Sequence, residues 1–264
     1  MKAYSLIRDQ PWYRREVFDL GLKRAGFEVL RRSPDRGRAG DVLLIWNRYG
    51  SHHDIAERFE KDGGRVLVAE NGYLGAGGSS PKFDVHPGGP QLHHYYALAV
   101  GWHNGRGTWH VGPEPRFPAL GVTPKPWRTG VRALVCPNRS FGVGAQVMHP
   151  DWGERTAAAL RKHGLEVRLR NHPGNNEPRG NPLAVDLEWA EQVHIWSSTV
   201  GVHALVEGIP VTAHAPYWIC KAAVGDGSLD DDRRAAGLER MAWAQWTLAE
   251  IESGDPVKWL LDNL

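Results

Sequence analysis

The sequence predicts an α/β protein with two parallel-sheet domains, and three observations carry that prediction. Apolar runs of strand length alternate with helix-length segments in two separate series, the pattern of parallel strands joined by crossover helices. Asp41-Val-Leu-Leu-Ile-Trp-Asn47 and Arg65-Val-Leu-Val-Ala-Glu70 are nearly continuous apolar runs, as expected of strands covered on both faces. Between the two series Pro113, Pro115, Pro118, Pro124 and Pro126 make Gly112 to Arg128 a linker. The expected division is residues 1–126 for an N-terminal domain and 127–264 for a C-terminal one. Together these describe two Rossmann-like domains facing a cleft, in a compact version, since 264 residues suffice for two small cores.

Taken in order, Lys2 to Arg8 alternates as an opening strand, and a helix runs from Gln10 to Ala25 with Pro11 in its first turn and Gly26 closing it. Phe27 to Leu30 reads as a strand and Arg31 to Arg38 as a basic loop. After the Asp41 strand, Ser51 caps a helix over Asp54 to Asp62 that Gly63-Gly64 ends. The Arg65 strand opens into the loop Asn71 to Ser80, and Pro81 to Pro126 reads as loops and short elements. The second series begins with the strand Val131 to Cys136 and a glycine-bearing loop over Asn138 to Val147. A helix over Asp151 to His163, a strand over Leu165 to Arg170 and a short helix over Leu183 to Glu191 follow. The strand Gln192 to Trp196 runs into a helix over Gly201 to Glu207 and a short strand at Pro210 to Ala213. Leu229 to Ser253 reads as mostly helical, with a terminal helix from Pro256.

Composition narrows the function classes. The hydrophobic share of 41% is that of a globular chain, and a net charge of +2 is not that of a strongly cationic nucleic-acid binder. Two cysteines make no disulfide framework, so a reduced, cytoplasmic setting is expected. The first residues lack the apolar core of a signal peptide, and no run reaches the ~18 apolar residues of a membrane span. Twelve tryptophans and 13 histidines suit clefts that stack planar or sugar rings.

Two stretches carry the chemistry. Arg170-Asn-His-Pro173 ends a strand with a cation and an imidazole two residues apart, hence on one face while the strand persists. Ser197-Ser-Thr199 stands where a strand becomes a helix, so its hydroxyls and the free N–H groups of the first turn can bind a phosphate. Three consecutive hydroxyls exceed what an ordinary helix cap needs. The pairing predicts a phosphate-bearing ligand at the carboxyl edge of the second sheet.

These residues resemble a known family. Arg-x-His-Pro, then an apolar strand into Ser-Ser-Thr-Val-Gly201, then Ala-Leu-x-x-Gly-x-Pro-Val211, is similar to the donor half of capsule-polysaccharide-type glycosyltransferases. Bacterial sialyltransferases, with His-Pro and Ser-Ser/Thr motifs, are similar at the same points. Glu70-Asn-Gly-Tyr-Leu-Gly-Ala-Gly-Gly78 resembles the Glu-Asp-Gly-Phe-Leu-Arg-Ser-x-Gly signature of the capsule enzymes. The resemblance covers about a third of the chain. It implies the GT-B architecture and a glycosyltransferase that moves a sugar from a nucleotide-sugar, UDP- or CMP-linked, to an acceptor hydroxyl. It also implies donor contacts at Arg170, His172, Ser197, Ser198, Thr199 and Gly201, with no further cofactor.

The chain departs from the family pattern at three places. Asn71 stands where the relatives carry the acid expected to be catalytic, and an amide is no general base. The carboxylate then comes from Glu70 or from another acid such as Asp54 or Asp84. Gly75 replaces an arginine. His203 replaces a glutamate in the helix after the hydroxyl turn, with Glu207 one turn on as a stand-in. Gly142, in Gly142-Val-Gly144, lets backbone approach a sugar or phosphate, although the dinucleotide and P-loop spacings are absent.

The acceptor is a surface glycan on the family resemblance. Alternatively it is a hydroxymethylated pyrimidine in DNA, as in phage-type enzymes, with Arg31, Arg32, Arg36 and Arg38 against the duplex. Two further readings use the same architecture: a nucleotide-sugar 2-epimerase, and a non-catalytic nucleotide- or glycan-binding module that has lost its acid. His93-His94 and Gly101-Trp-His-Asn-Gly105 are candidate acceptor contacts. No spacing among His52, His53, Asp54 and His86 repeats a metal pattern, so no metal is expected.

Overall fold

The computed structural model describes residues 1–10, 13–74, 95–139, 147–172, 181–224 and 229–263. Gly75, Asp84, His86, His93, His94, Gly142, Gly144, Pro11 and Pro173, all singled out above, lie outside the described residues. The described chain forms two compact units. One comprises residues 1–74, 95–114 and 242–263, and the other begins at Pro115 and ends at Met241.

The first unit is built on a six-stranded sheet. Its elements are β1 (Lys2–Ser5), α1 (Arg15–Arg24), β2 (Glu28–Leu30), β3 (Val42–Trp46), α2 (Ser51–Lys61), β4 (Arg65–Asn71) and β5 (Tyr95–Val100). The strand order is β10-β5-β4-β3-β1-β2, where β10 is Gln245–Thr247 from the far end of the chain. β1 to β4 are mutually parallel, as their crossover helices require. Leu43 and Ile45 of β3 and Val66 and Val68 of β4 alternate onto one face, where Ala56 and Phe59 of α2 cover them.

The first sheet is mixed, which corrects the purely parallel expectation. β5 runs antiparallel to β4, with Glu70 opposite Ala97 and Asn71 opposite Tyr96. β10 then runs antiparallel to β5, with Trp246 opposite Tyr96. Tyr95-Tyr-Ala-Leu-Ala-Val100 is a buried six-residue run whose flanks of glycine, proline and histidine hid its strand character. β10 interrupts the stretch expected to be helical, and three residues are too few to break a helical period in the sequence. After it, α8 (Leu248–Ser253) starts from a capping box of Thr247 and Glu250, and α9 (Asp255–Asp262) closes the chain. α1 also starts later than expected, at Arg15, because Arg14 takes a left-handed conformation at φ 50°, ψ 40°.

The second unit carries a four-stranded, all-parallel sheet in the order β7-β6-β8-β9. Its strands are β6 (Arg132–Cys136), β7 (Glu166–Leu169), β8 (Gln192–Ile195) and β9 (Val211–Ala213). Its helices are α3 (Trp152–Lys162), α4 (Leu183–Trp189), α5 (Val200–Val206), α6 (Lys221–Val224) and α7 (Asp231–Ala242). The linker is tied to this unit: Lys125 N–H donates to Val206 and Arg128 N–H to Gly208, each at 2.8 Å. Gly208 is left-handed at φ 73°, and a Cβ there would stand 2.1 Å from the Pro126 carbonyl oxygen. Cys136 and Cys220 are both buried and free. Among the described residues no helix is long and apolar enough to cross a membrane.

Candidate functional site

In the second unit the chain leaves β6 outward to β7 and then returns across β6 to β8, so strand order reverses between β6 and β8. At such a switch point the loops leaving the carboxyl ends of two neighbouring strands diverge and open a crevice. The residues there are Asn138 and Arg139 after β6 and Ser197 after β8. Asn138 Nδ2 donates to Ser197 Oγ at 2.9 Å, and Ser197 N–H donates back to Asn138 Oδ1 at 3.2 Å. The reciprocal pair fixes the first hydroxyl of the turn. Ser198 Oγ accepts from Val200 N–H at 3.3 Å, while its carbonyl accepts from the Trp218 indole at 3.1 Å. Thr199 is exposed at the helix entrance.

Arg170 and His172 follow β7 on the other side of β6. Arg170 is held, not swinging: its guanidinium donates to Asp186 at 2.7 Å and to the Asn181 carbonyl. Asp186 is a buried carboxylate on α4, so this cation is already largely balanced. His172 is pushed down to about 4 by burial, with the Arg139 and Arg170 charges adding to it. Its imidazole is therefore neutral at pH 7 and offers one N–H donor, not a second charge. Arg139 is exposed and bears on His172, which brings a further cation to the switch point. Cys136, beneath Arg170, has its thiol pushed up to about 12 by burial, so it is floor and not nucleophile.

Two of the expected donor residues play other parts. Gly201 is buried in α5, where a Cβ would meet Ile195 Cδ1 and Trp218 Cζ2 at 2.6 Å each. Its role is close packing of helix on strand. Glu207 caps the far end of α5 and pairs with Lys125, one helix length from the hydroxyl turn.

In the first unit Glu70 and Asn71 end β4. The Glu70 carboxyl is raised from 4.5 to about 7 by burial, against hydrogen bonds from Asn71 N–H and the Asn47 side chain. The Asn71 amide donates to Glu70 Oε1 at 3.1 Å. Asn47, at the end of neighbouring β3, is left-handed at φ 59°, a strained conformation for a residue with a side chain. Tyr96, opposite Asn71, is also raised, by burial against the pull of Arg14. Asp54 is exposed in the first turn of α2 and not gathered with this group.

The loop after Asn71 is fixed from the chain's far end. Gln245 Oε1 accepts from Tyr73 N–H at 2.8 Å and Leu74 N–H at 3.1 Å, and its Nε2 donates to the Leu74 carbonyl. Gly72 N–H bonds Tyr95 O at 3.0 Å, and a Cβ at Gly72 would lie 2.6 Å from that oxygen. The glycine in Glu-Asn-Gly is thus required by the approach of β5. Asn47, Asn138, Arg139 and Gln245 are positions that the sequence does not single out. Asn47 and Asn138 carry one signal, each standing just after a buried strand.

Elsewhere, Arg31 bonds the buried Asp19 at 2.7 Å and Arg32 pairs with Asp35, so half of the basic loop is engaged within the unit. Trp102, between the Arg48 and Arg106 guanidiniums at 4.5 and 3.2 Å from its ring centroid, and His103 form a packed cluster beside α2. Among the described residues no group of three or more His, Cys, Asp or Glu side chains is placed to hold a metal ion.

One unit built on a mixed sheet, with Glu70 at a strand end, and one built on a parallel sheet with a switch point make an α/β fold. Two solved structures are similar to it in fold. One is Thermosulfurimonas dismutans KpsC, β-Kdo 2,7 transferase, with TM-score 0.52 and 14% identity over 100% of this chain and 99% of that one. The other is the β-Kdo 2,4 transferase of KpsC from the same organism, with TM-score 0.56 and 15% identity over 92% and 90%. At these identities the likeness is one of fold. No family model and no curated protein matches the sequence.

Proposed function

We propose that this chain is a glycosyltransferase of the GT-B type, moving a sugar from a nucleotide-sugar to an acceptor hydroxyl. The observation that carries it is the Glu70 carboxyl at a strand's carboxyl end with its pKa raised to about 7. A group poised there is about half ionised at neutral pH, which is what a general base needs. In the step, the acceptor oxygen bonds the anomeric carbon and its proton passes to Glu70. The bond from that carbon to the phosphate oxygen breaks, and the nucleotide leaves with the electron pair. Ser197, Ser198, His172, Arg170 and Arg139 hold the phosphates and stabilise the charge that develops on them. Asn71 and Asn47 orient the Glu70 carboxylate. The fold shared with two sugar transferases supports the reading. No cofactor beyond the UDP- or CMP-linked donor takes part.

The test is calorimetric titration of UDP and CMP nucleotides into wild type, His172→Ala and Ser198→Ala. Each substitution removes a hydrogen bond to a charged group and should weaken binding about tenfold or more. Undiminished binding to both variants sinks the reading.

A further inference from the structure

We propose that the loop over residues 101–107 is a clamp that holds the Asn47 side chain against the Glu70 carboxyl, with His103 as its positioning residue. The proposal deepens the reading of Glu70 as general base, and rests on that reading only for its effect on rate.

Asn47 is left-handed at φ 59°, and its side chain hydrogen-bonds Glu70. A residue with a side chain persists there when its surroundings over-determine it. The Asn47 N–H donates to the Ala69 carbonyl at 3.0 Å, and the Trp46 carbonyl before it accepts from His52 Nδ1 at 3.1 Å. The Arg48 N–H after it donates to His103 Nδ1 at 3.3 Å. The Arg48 side chain, only 3% exposed, donates to the Gly101 carbonyl at 2.5 Å and to both Glu60 carboxylate oxygens at 2.8 and 2.6 Å. Its guanidinium also lies 4.5 Å from the centroid of the Trp102 ring. In the sheet β4 stands between β5 and β3. The loop leaving β5 thus grasps the chain leaving β3, and so fixes the amide that bonds the carboxyl at the end of β4.

The loop is stiff enough to serve. Val100 and Thr108 close it with reciprocal N–H to carbonyl bonds at 2.9 and 3.0 Å, and the Gly101 N–H donates to the Val66 carbonyl at 2.8 Å. A Cβ at Gly107 would stand 2.5 Å from the Trp102 carbonyl oxygen, so the turn is closed tightly on itself. His103 is pushed down to about 4 by burial, with the Arg106 and Arg48 charges adding to it. It stays neutral while Glu70 titrates, and its Nδ1 remains an acceptor throughout. The other charged or titratable groups at the loop are Glu60 on Arg48 and His53, whose ring lies 5.4 Å from that of Trp102 and whose Nε2 meets Glu57 at 3.3 Å.

The Asn47 bond favours the charged carboxylate and offsets part of the burial that raises Glu70 to about 7. Loosening the clamp should therefore raise Glu70 further. The experiment is ¹³C NMR titration of protein labelled at the glutamate carboxyls, with the Glu70 signal assigned by its loss in Glu70→Gln. In His103→Ala the midpoint should rise by about half a pH unit or more, and the inflection of kcat/KM should move with it. His103→Leu, which keeps bulk without the acceptor, is the second variant and should behave alike. His103→Asn places Oδ1 where Nδ1 stood and should keep the wild-type midpoint. Asn47→Gly, free of strain at this φ, should raise it by about one pH unit, the low end for a hydrogen bond to a charged group. Adding His103→Ala to Asn47→Gly should change nothing more, because the histidine acts through Asn47. An unmoved midpoint in His103→Ala and His103→Leu, an equal rise in His103→Asn, or a further rise in the double variant overturns the proposal. Midpoints that move as expected without any sugar transfer support the clamp and sink the transferase reading.

Discussion

Glu70→Gln should lower the rate of sugar transfer by about 10²–10⁴-fold, the usual worth of a positioned general base. The wild-type kcat/KM should rise about tenfold per pH unit below pH 7 and level off above it, following ionisation of a carboxyl whose pKa is raised to about 7. The residual rate of Glu70→Gln should lack that inflection. Stability should move the other way. In the unfolded chain the carboxyl titrates near 4.5, and burial raises it in the folded protein. The charged form therefore costs folding energy, absent below pH 4.5, growing between 4.5 and 7, and complete above 7. Removing the charge should stabilise the protein above pH 7 by up to about 3 kcal/mol. A purely structural glutamate would give the opposite pair of results: activity retained within tenfold and stability lost. Chemical denaturation at pH 5 and 8 beside the rate profile separates the two.

Gly21→Ala should cost about 3 kcal/mol and lower Tm by about 6–12 °C. Gly21 lies in α1 against α8, and a Cβ there would fall 1.9 Å from the Ile251 carbonyl oxygen. The obstacle is backbone, so no rotamer change relieves it and the two helices must separate. Their contact is reinforced by Arg24, whose guanidinium donates to the Glu252 carbonyl at 3.0 Å, and by Gly254 at φ 84°, where a Cβ would stand 2.6 Å from the Gly21 carbonyl oxygen. Lys23→Ala, on the exposed side of the same helix, is the control and should change little. A shift below about 1 kcal/mol in Gly21→Ala would show that α1 and α8 are not packed so closely. Because α8 follows β10, the loss should also loosen Gln245 and the Tyr73–Leu74 loop it holds.

The site was legible in parts, for identifiable reasons. Ser197 and His172 stand at strand ends that the sequence limits, a short run over Gln192 to Trp196 stopped by a hydroxyl and the alternating run Leu165 to Arg170 stopped at Pro173. Glu70 was legible as the end of a buried strand. Its raised pKa was not, since that depends on what covers the carboxyl. Gly201 and Gly72 read as features of ligand motifs, yet each is needed because a Cβ there would stand 2.6 Å from a neighbouring element. Glu207 follows His203 by one helical turn in the sequence, and that turn carries it to the far end of a seven-residue helix. Thr247-Leu-Ala-Glu250 is a capping box, and it marks a helix start inside what reads as one long helix.

The sequence by itself determined the local elements and the alternation of strands and helices, because apolar periodicity and caps are properties of neighbours in the chain. It determined, too, that chemistry-bearing side chains sit where strands end. Tertiary structure alone decided which strands pair. That β5 turns the first sheet antiparallel rests on its pairing with β4 across the intervening loop, and that residues 242–263 return to that sheet rests on β10 pairs such as Gln245 with Ala97, far apart in the chain. The same long-range pairing set the partners of the candidate groups: Asn47 beside Glu70, Asn138 on Ser197, Asp186 on Arg170 and Gln245 under the Glu-Asn-Gly loop. Such partners leave no periodic trace, since each is one polar side chain whose meaning appears only when another strand end arrives beside it.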